Sequence, residues 1–105
     1  VLGDCHGTSC APSLIDAVER HLRDRGHSVA RNNPYAGGFC TQHYGRPRLR
    51  RHALQIEINR ALYMDERRFE RSAGFPRIAR DLDTLADQLA AIPLEELRPY
   101  RAAAE

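Results

Sequence analysis

The run 54–60, Leu-Gln-Ile-Glu-Ile-Asn-Arg, is where residue type and spacing in this chain come closest to chemistry. In an extended strand successive side chains alternate faces. Leu54, Ile56 and Ile58 would then face a core, while Gln55, Glu57 and Asn59 line the other side. An exposed edge strand alternates in the same way. What sets this run apart is that Gln, Glu and Asn are poor strand formers, and local preference tends to be given up at functional sites. A carboxylate at the end of a rigid strand can take a proton from a metal-bound water and pass it to a leaving amine, and Glu57 is the candidate for that role. Arg60, three residues on, could pair with a substrate carboxylate or sit in an ordinary surface ion pair.

Three other groups could do chemistry. The loop around Asn33, Tyr35, Gly37 and Gly38 offers an amide, a hydroxyl and backbone that a ligand can approach closely, although turn formation alone accounts for the same residues. Cys5, Cys10, Cys40 and His43 supply the four soft ligands of a small structural zinc module, a rival reading in which Cys10→Ala would abolish tight zinc binding. Arg46, Arg48, Arg50 and Arg51 could meet phosphates. With a net charge of +2 and no interleaved aromatics beyond Tyr44, a solvated loop is expected there, and no nucleic-acid partner.

The elements that must position these residues follow from periodicity. Pro12 fits the first turn of a helix whose apolar stripe is Leu14, Ile15, Val18 and Leu22, with Gly26 as its stop. The run 27–31 is short enough for a strand, and 32–38 is dense in turn formers. After an exposed connection over 44–52, the run 53–60 reads as the best strand in the chain. A short helix is expected over 66–71 and a longer one over 76–92, striped by Ile78, Leu82, Leu85, Leu89 and Ile92, with a frayed alanine-rich end after Pro99. Strands alternating with helices predict an α/β fold with a mostly parallel sheet and flanking helices, in which ligands gather at the carboxyl ends of the strands.

At 105 residues, 42% of them hydrophobic, the chain suits a single domain with one small core. All 16 basic residues are arginine. Three cysteines form no dense disulfide framework, which predicts a reducing cytoplasmic setting, and no apolar run is long enough for a membrane span. The opening Val-Leu-Gly-Asp, without Met, reads as the end of a buried strand, as if the chain starts in mid-domain.

Taken together, Leu2-Gly3-Asp4, Gly7-Thr8-Ser9-Cys10, Asn33-Pro34-Tyr35-Ala36-Gly37-Gly38-Phe39, Tyr44-Gly45-Arg46-Pro47 and the stretch from His52 to Met64 resemble the N-formylglutamate amidohydrolase family in order and spacing, over about residues 1–70. The resemblance implies the C-terminal part of a zinc-carboxypeptidase-like (phosphorylase/hydrolase-like) fold. It also implies zinc-dependent hydrolysis of a small acidic N-formyl amino acid, N-formyl-L-glutamate, to glutamate and formate, a reaction of bacterial histidine degradation. Glu57 then matches the family's acid/base carboxylate, with Tyr35 and its loop over the substrate and Arg60 on a substrate carboxylate. The family's zinc ligands are expected upstream of Val1, so the chain by itself is expected to be inactive. His6 resembles the Asp-x-His-Ser zinc motif, but Thr8-Ser9-Cys10 aligns this stretch with the segment that follows it, leaving His6 a subordinate ligand candidate.

Overall fold

The computed structural model describes residues 1–98; the end after Pro99 lies outside them. The chain divides into two compact units, one of Val1–Glu57 with the segment that starts at Ile92, the other of Ile58–Ala91.

The first unit is α/β and contains β1 (Leu2–Gly3), α1 (Pro12–Asp24), α2 (Phe39–Tyr44) and β2 (Gln55–Ile56). The strand expected over 27–31 is reduced to one parallel bridge, Leu2 with Arg31, in which the Leu2 amide donates to the Ala30 carbonyl at 2.8 Å and the Asn32 amide to the Leu2 carbonyl at 2.8 Å. On its other edge β1 pairs antiparallel with β2, Leu2 opposite Ile56 and Gly3 opposite Gln55. The described sheets are therefore two-stranded and antiparallel rather than mostly parallel. Alternation of elements fixes direction only across a helical crossover, as from β1 through α1 to Arg31. β2 instead follows an irregular connection that brings the chain back in the opposite sense. It is also shorter than the run 53–60, because β1 offers only two residues to pair with. One further exchange, between Val1 and Glu57 at 2.8 Å in both directions, prolongs the pairing.

The core of this unit is Leu2, Cys10, Ala11, Ile15 and Val18, each at most 1% exposed. Burying an aliphatic side chain of this size contributes about 1.5–3 kcal/mol. Of the expected stripe on α1, Ile15 and Val18 are fully buried and Leu14 and Leu22 half-buried. α1 starts at Pro12, and the Ala11 amide just before it donates to His52 Nδ1 at 3.0 Å. It ends as expected at Gly26, whose amide and that of His27 return to the carbonyls of Arg23 and Leu22. On its outer face Arg31 binds Asp16 at 2.8 Å and Glu19 at 2.7 Å. Hydrogen bonds from Arg31 and then Arg23 hold the Glu19 carboxyl below the usual carboxylate range.

The second unit holds β3 (Met64–Asp65), β4 (Glu70–Arg71) and α3 (Phe75–Ala90). The short helix expected over 66–71 is absent; the segment closes a hairpin in which β3 and β4 pair antiparallel. Asp65 decides this, since its Oδ1 accepts the amides of Arg67 at 2.9 Å and Arg68 at 3.2 Å and so holds a turn where a helix would have begun. α3 agrees with the expected 76–92 helix to within two residues at either end and buries Leu85 and Asp81. Its first residue, Phe75, meets the Tyr63 ring edge-on at 6.2 Å, and the Arg71 guanidinium lies 4.3 Å above its centre. Among the described residues no helix is long and apolar enough to cross a membrane.

Candidate active site around Glu57

The site is built on the polar face of the β1–β2 ladder. Leu2 and Ile56 are cross-strand partners, as are Gly3 and Gln55, so Gly3 and Gln55 share the face opposite the buried Leu2. Over that face lies the loop 33–38. A Cβ on Gly3 would stand 2.6 Å from the Ala36 carbonyl carbon, so only glycine lets the loop approach this closely. A Cβ on Gly38 would come 3.4 Å from Gln55 Oε1, which places the end of the loop against the Gln55 amide. From there Gln55 Nε2 donates to Glu57 Oε1 at 2.6 Å, as the two-residue period of a strand predicts.

Both ends of the loop are tied from outside. At its start Asn32, in a left-handed conformation with φ 58°, accepts the Asp4 amide at its Oδ1 and donates from Nδ2 to Asp4 Oδ1 at 2.8 Å. Asp4 is buried, and the same carboxylate oxygen accepts the Gly7 amide at 2.8 Å. In the middle the Cys5 amide donates to the Ala36 carbonyl at 2.7 Å. At its end the buried Thr41 hydroxyl accepts the Gly38 amide at 2.9 Å. Gly37, with φ 141°, packs so closely that a Cβ there would run into Thr41 Oγ1 and lie 2.8 Å from Cys5 Sγ.

The residues singled out from the sequence separate in this frame. Glu57 and Gly38 are brought together through Gln55, and Gly37, in the same loop, is packed against Thr41 and Cys5. Asn33 and Tyr35 lie exposed on the loop, Tyr35 at 54%. Arg60 belongs to the second unit, where its Nε donates to Glu66 Oε1 at 3.1 Å. His6 is exposed on a turn whose residues Cys5 and His6 both have positive φ.

The zinc-module reading does not survive the geometry. Cys10 is buried in the core beside Ala11 and Ile15, where burial followed by the charge on Asp4 pushes its thiol up to about 12. Cys5 Sγ donates to Thr41 Oγ1, Cys40 is exposed, and His43 stacks on Phe39 at 5.0 Å. Among the described residues no group of three or more His, Cys, Asp and Glu could hold a metal ion.

Asp4, Asn32 and Thr41 carry much of the positioning and were not singled out from the sequence. The legible signal was Asn32, since Asn is enriched at positive φ and bonds locally through its amide. The arrangement has a definite chemical capacity. One oxygen of an exposed carboxylate is held by a neutral donor, which leaves the other oxygen to take up and release a proton.

A family model described as N-formylglutamate amidohydrolase matches residues 1–64. Two curated proteins, the N-formylglutamate deformylases of Pseudomonas aeruginosa and Pseudomonas putida, are 39% and 36% identical to this chain over 66 residues, which is 62% of this chain and 25% of each of theirs. The crystal structure of N-formylglutamate amidohydrolase from Ralstonia eutropha is similar with a TM-score of 0.81 at 52% identity, over 85% of this chain and 32% of that one. The chain thus spans a quarter to a third of the length of these relatives.

Proposed function

Because the chain belongs to the N-formylglutamate amidohydrolase family, we propose that it supplies the proton-transferring carboxylate, and part of the substrate wall, for hydrolysis of N-formyl-L-glutamate to L-glutamate and formate in the complete enzyme. The observation that carries this reading is the Glu57 carboxylate, exposed at the end of β2 and gripped at one oxygen by Gln55. Glu57 takes a proton from the attacking water as its oxygen bonds to the formyl carbon. The same proton then goes to the glutamate nitrogen as the C–N bond breaks, leaving formate. The loop bearing Tyr35, Gly37 and Gly38 walls the site, and Arg60 is the candidate partner for a substrate carboxylate in exchange for Glu66.

A zinc ion in the complete enzyme would polarise the formyl group and activate water. The described residues of this chain do not fit one, so its ligands belong to a part of the enzyme outside them. On the same reading the β1–β2 ladder and the Arg31 bridge are a fragment of a larger, mostly parallel sheet of the zinc-carboxypeptidase kind.

In the complete enzyme Glu57→Gln should lower formate release from N-formyl-L-glutamate by at least about a hundredfold with substrate binding retained. Turnover near that of the unmodified enzyme would remove Glu57 from the role. The 105 residues alone should release no formate above the uncatalysed background.

A further inference from the structure

We infer that Gln55 is a positioning residue that fixes the orientation of the Glu57 carboxylate for proton transfer. The inference rests on the proposed role of Glu57 and adds to it a named partner with a distinct signature. Gln55 Nε2 lies 2.6 Å from Glu57 Oε1, a short contact of the kind made by a donor to an ionised acceptor. The amide has only one useful orientation, because turning it over would set its carbonyl oxygen against the carboxylate.

Two neighbours confine it. Across the ladder stands Gly3, which has no side chain to compete for the space, and Ala36 lies directly over that glycine. At the far end Gly38 approaches the amide oxygen, where a Cβ on residue 38 would stand at 3.4 Å, in van der Waals contact with Oε1. Gln55 therefore links the loop, which is tied down by Asn32 and Thr41, to the carboxylate at the end of β2. An amide suits this task. It orients Oε1 without bringing a positive charge that would weaken the carboxylate's hold on a proton, and so leaves Oε2 to carry it.

The test uses the complete enzyme with N-formyl-L-glutamate. Gln55→Met keeps the length of the side chain and removes the donor; it should lower kcat about ten- to a hundredfold, with KM within about twofold, as expected when a reacting group loses its alignment. Gln55→Glu is the second variant. At neutral pH two carboxylates would face each other and kcat should fall at least as far. As the pH is lowered, the introduced carboxyl becomes protonated and can donate as the amide did, so this variant alone should regain part of its loss relative to unmodified enzyme.

A loss of packing would not produce that recovery. Unchanged kcat in Gln55→Met, or parallel pH profiles for the two variants, overturns the inference. Glu57→Gln run alongside separates the two levels. If it loses about a hundredfold while Gln55→Met loses nothing, the positioning role fails and the proton-transfer role stands. If it retains turnover, both fail.

Discussion

The loop 32–38 and the connection 46–51 are both short and poor in aliphatic residues, yet they are held in opposite ways. The loop is fixed from outside, by Asp4 at its start, by the Cys5 amide in its middle and by Thr41 at its end. The connection closes mainly on itself, with the Arg46 guanidinium reaching back to the Gln42 and Gly45 carbonyls. The amides and carbonyls of Arg46 and Arg51 exchange hydrogen bonds at 2.8 and 3.1 Å around a single turn of 3-10 helix, Pro47–Leu49, and Arg48, Arg50 and Arg51 stand exposed. A segment held by distant partners passes any disturbance on to them, whereas one held by its own backbone keeps a disturbance local.

The largest effect that follows is at Gly37. Gly37→Ala places a Cβ into Thr41 Oγ1 at a φ that L residues rarely adopt, and should destabilise the chain by about 3 kcal/mol in urea unfolding. A loss below about 0.5 kcal/mol would show that the loop is not fixed from outside. Next comes Asn32→Ala, which removes a donor from a buried carboxylate and leaves alanine at positive φ, at a cost of about 2 kcal/mol. Asn32→Gly relieves the backbone part and should recover some of that loss.

The boundary between the two behaviours is His52, just beyond the connection. Its Nδ1 must be unprotonated to accept the Ala11 amide, and burial lowers its pKa from the ordinary 6.5. The unfolded chain therefore binds this proton more readily than the folded one. The contribution is present above pH 6.5 and is lost as the pH falls toward and through the lower folded value. Unfolding midpoints measured between neutral and acidic pH should show this decline, and His52→Gln should flatten it. The smallest effect belongs to the connection itself, where Arg48→Ala should change stability by less than about 0.5 kcal/mol. A larger loss would mean that the connection too leans on something beyond its own backbone.

Helices α1 and α3 were legible because an apolar stripe at helical period needs no knowledge of its partner: Ile15, Val18 and Leu85 are buried as their spacing requires. The hairpin was not legible, because residues 66–71 carry only Phe69 as an apolar side chain and the outcome was settled by one carboxylate, Asp65, bonding two residues ahead. The strand run showed the same limit in its length and direction. Alternation assigned Gln55 and Glu57 correctly to one face, but the extent of β2 was set by the two residues of β1 opposite it. At the site, the chemical type of Glu57 could be read from its neighbours in sequence. The amide that grips it could be read only as a same-face neighbour, since spacing alone says nothing of which way a flexible side chain turns.

Thr41 touches two glycines in different ways, and both limit how this region can diverge. A side chain at position 37 would collide with the Thr41 hydroxyl, whereas one at position 45 would stand 2.5 Å from the Thr41 carbonyl oxygen and 2.6 Å from Ser9 Cβ. Changing residue 41 clears neither: at 37 the φ of 141° and Cys5 Sγ at 2.8 Å remain, and at 45 the obstacle is main chain. Both positions are therefore closed to mutational drift, 37 by its backbone conformation and 45 by its surroundings. A combinatorial library that leaves both 37 and 45 as glycine will hold far more folded members than one that varies either.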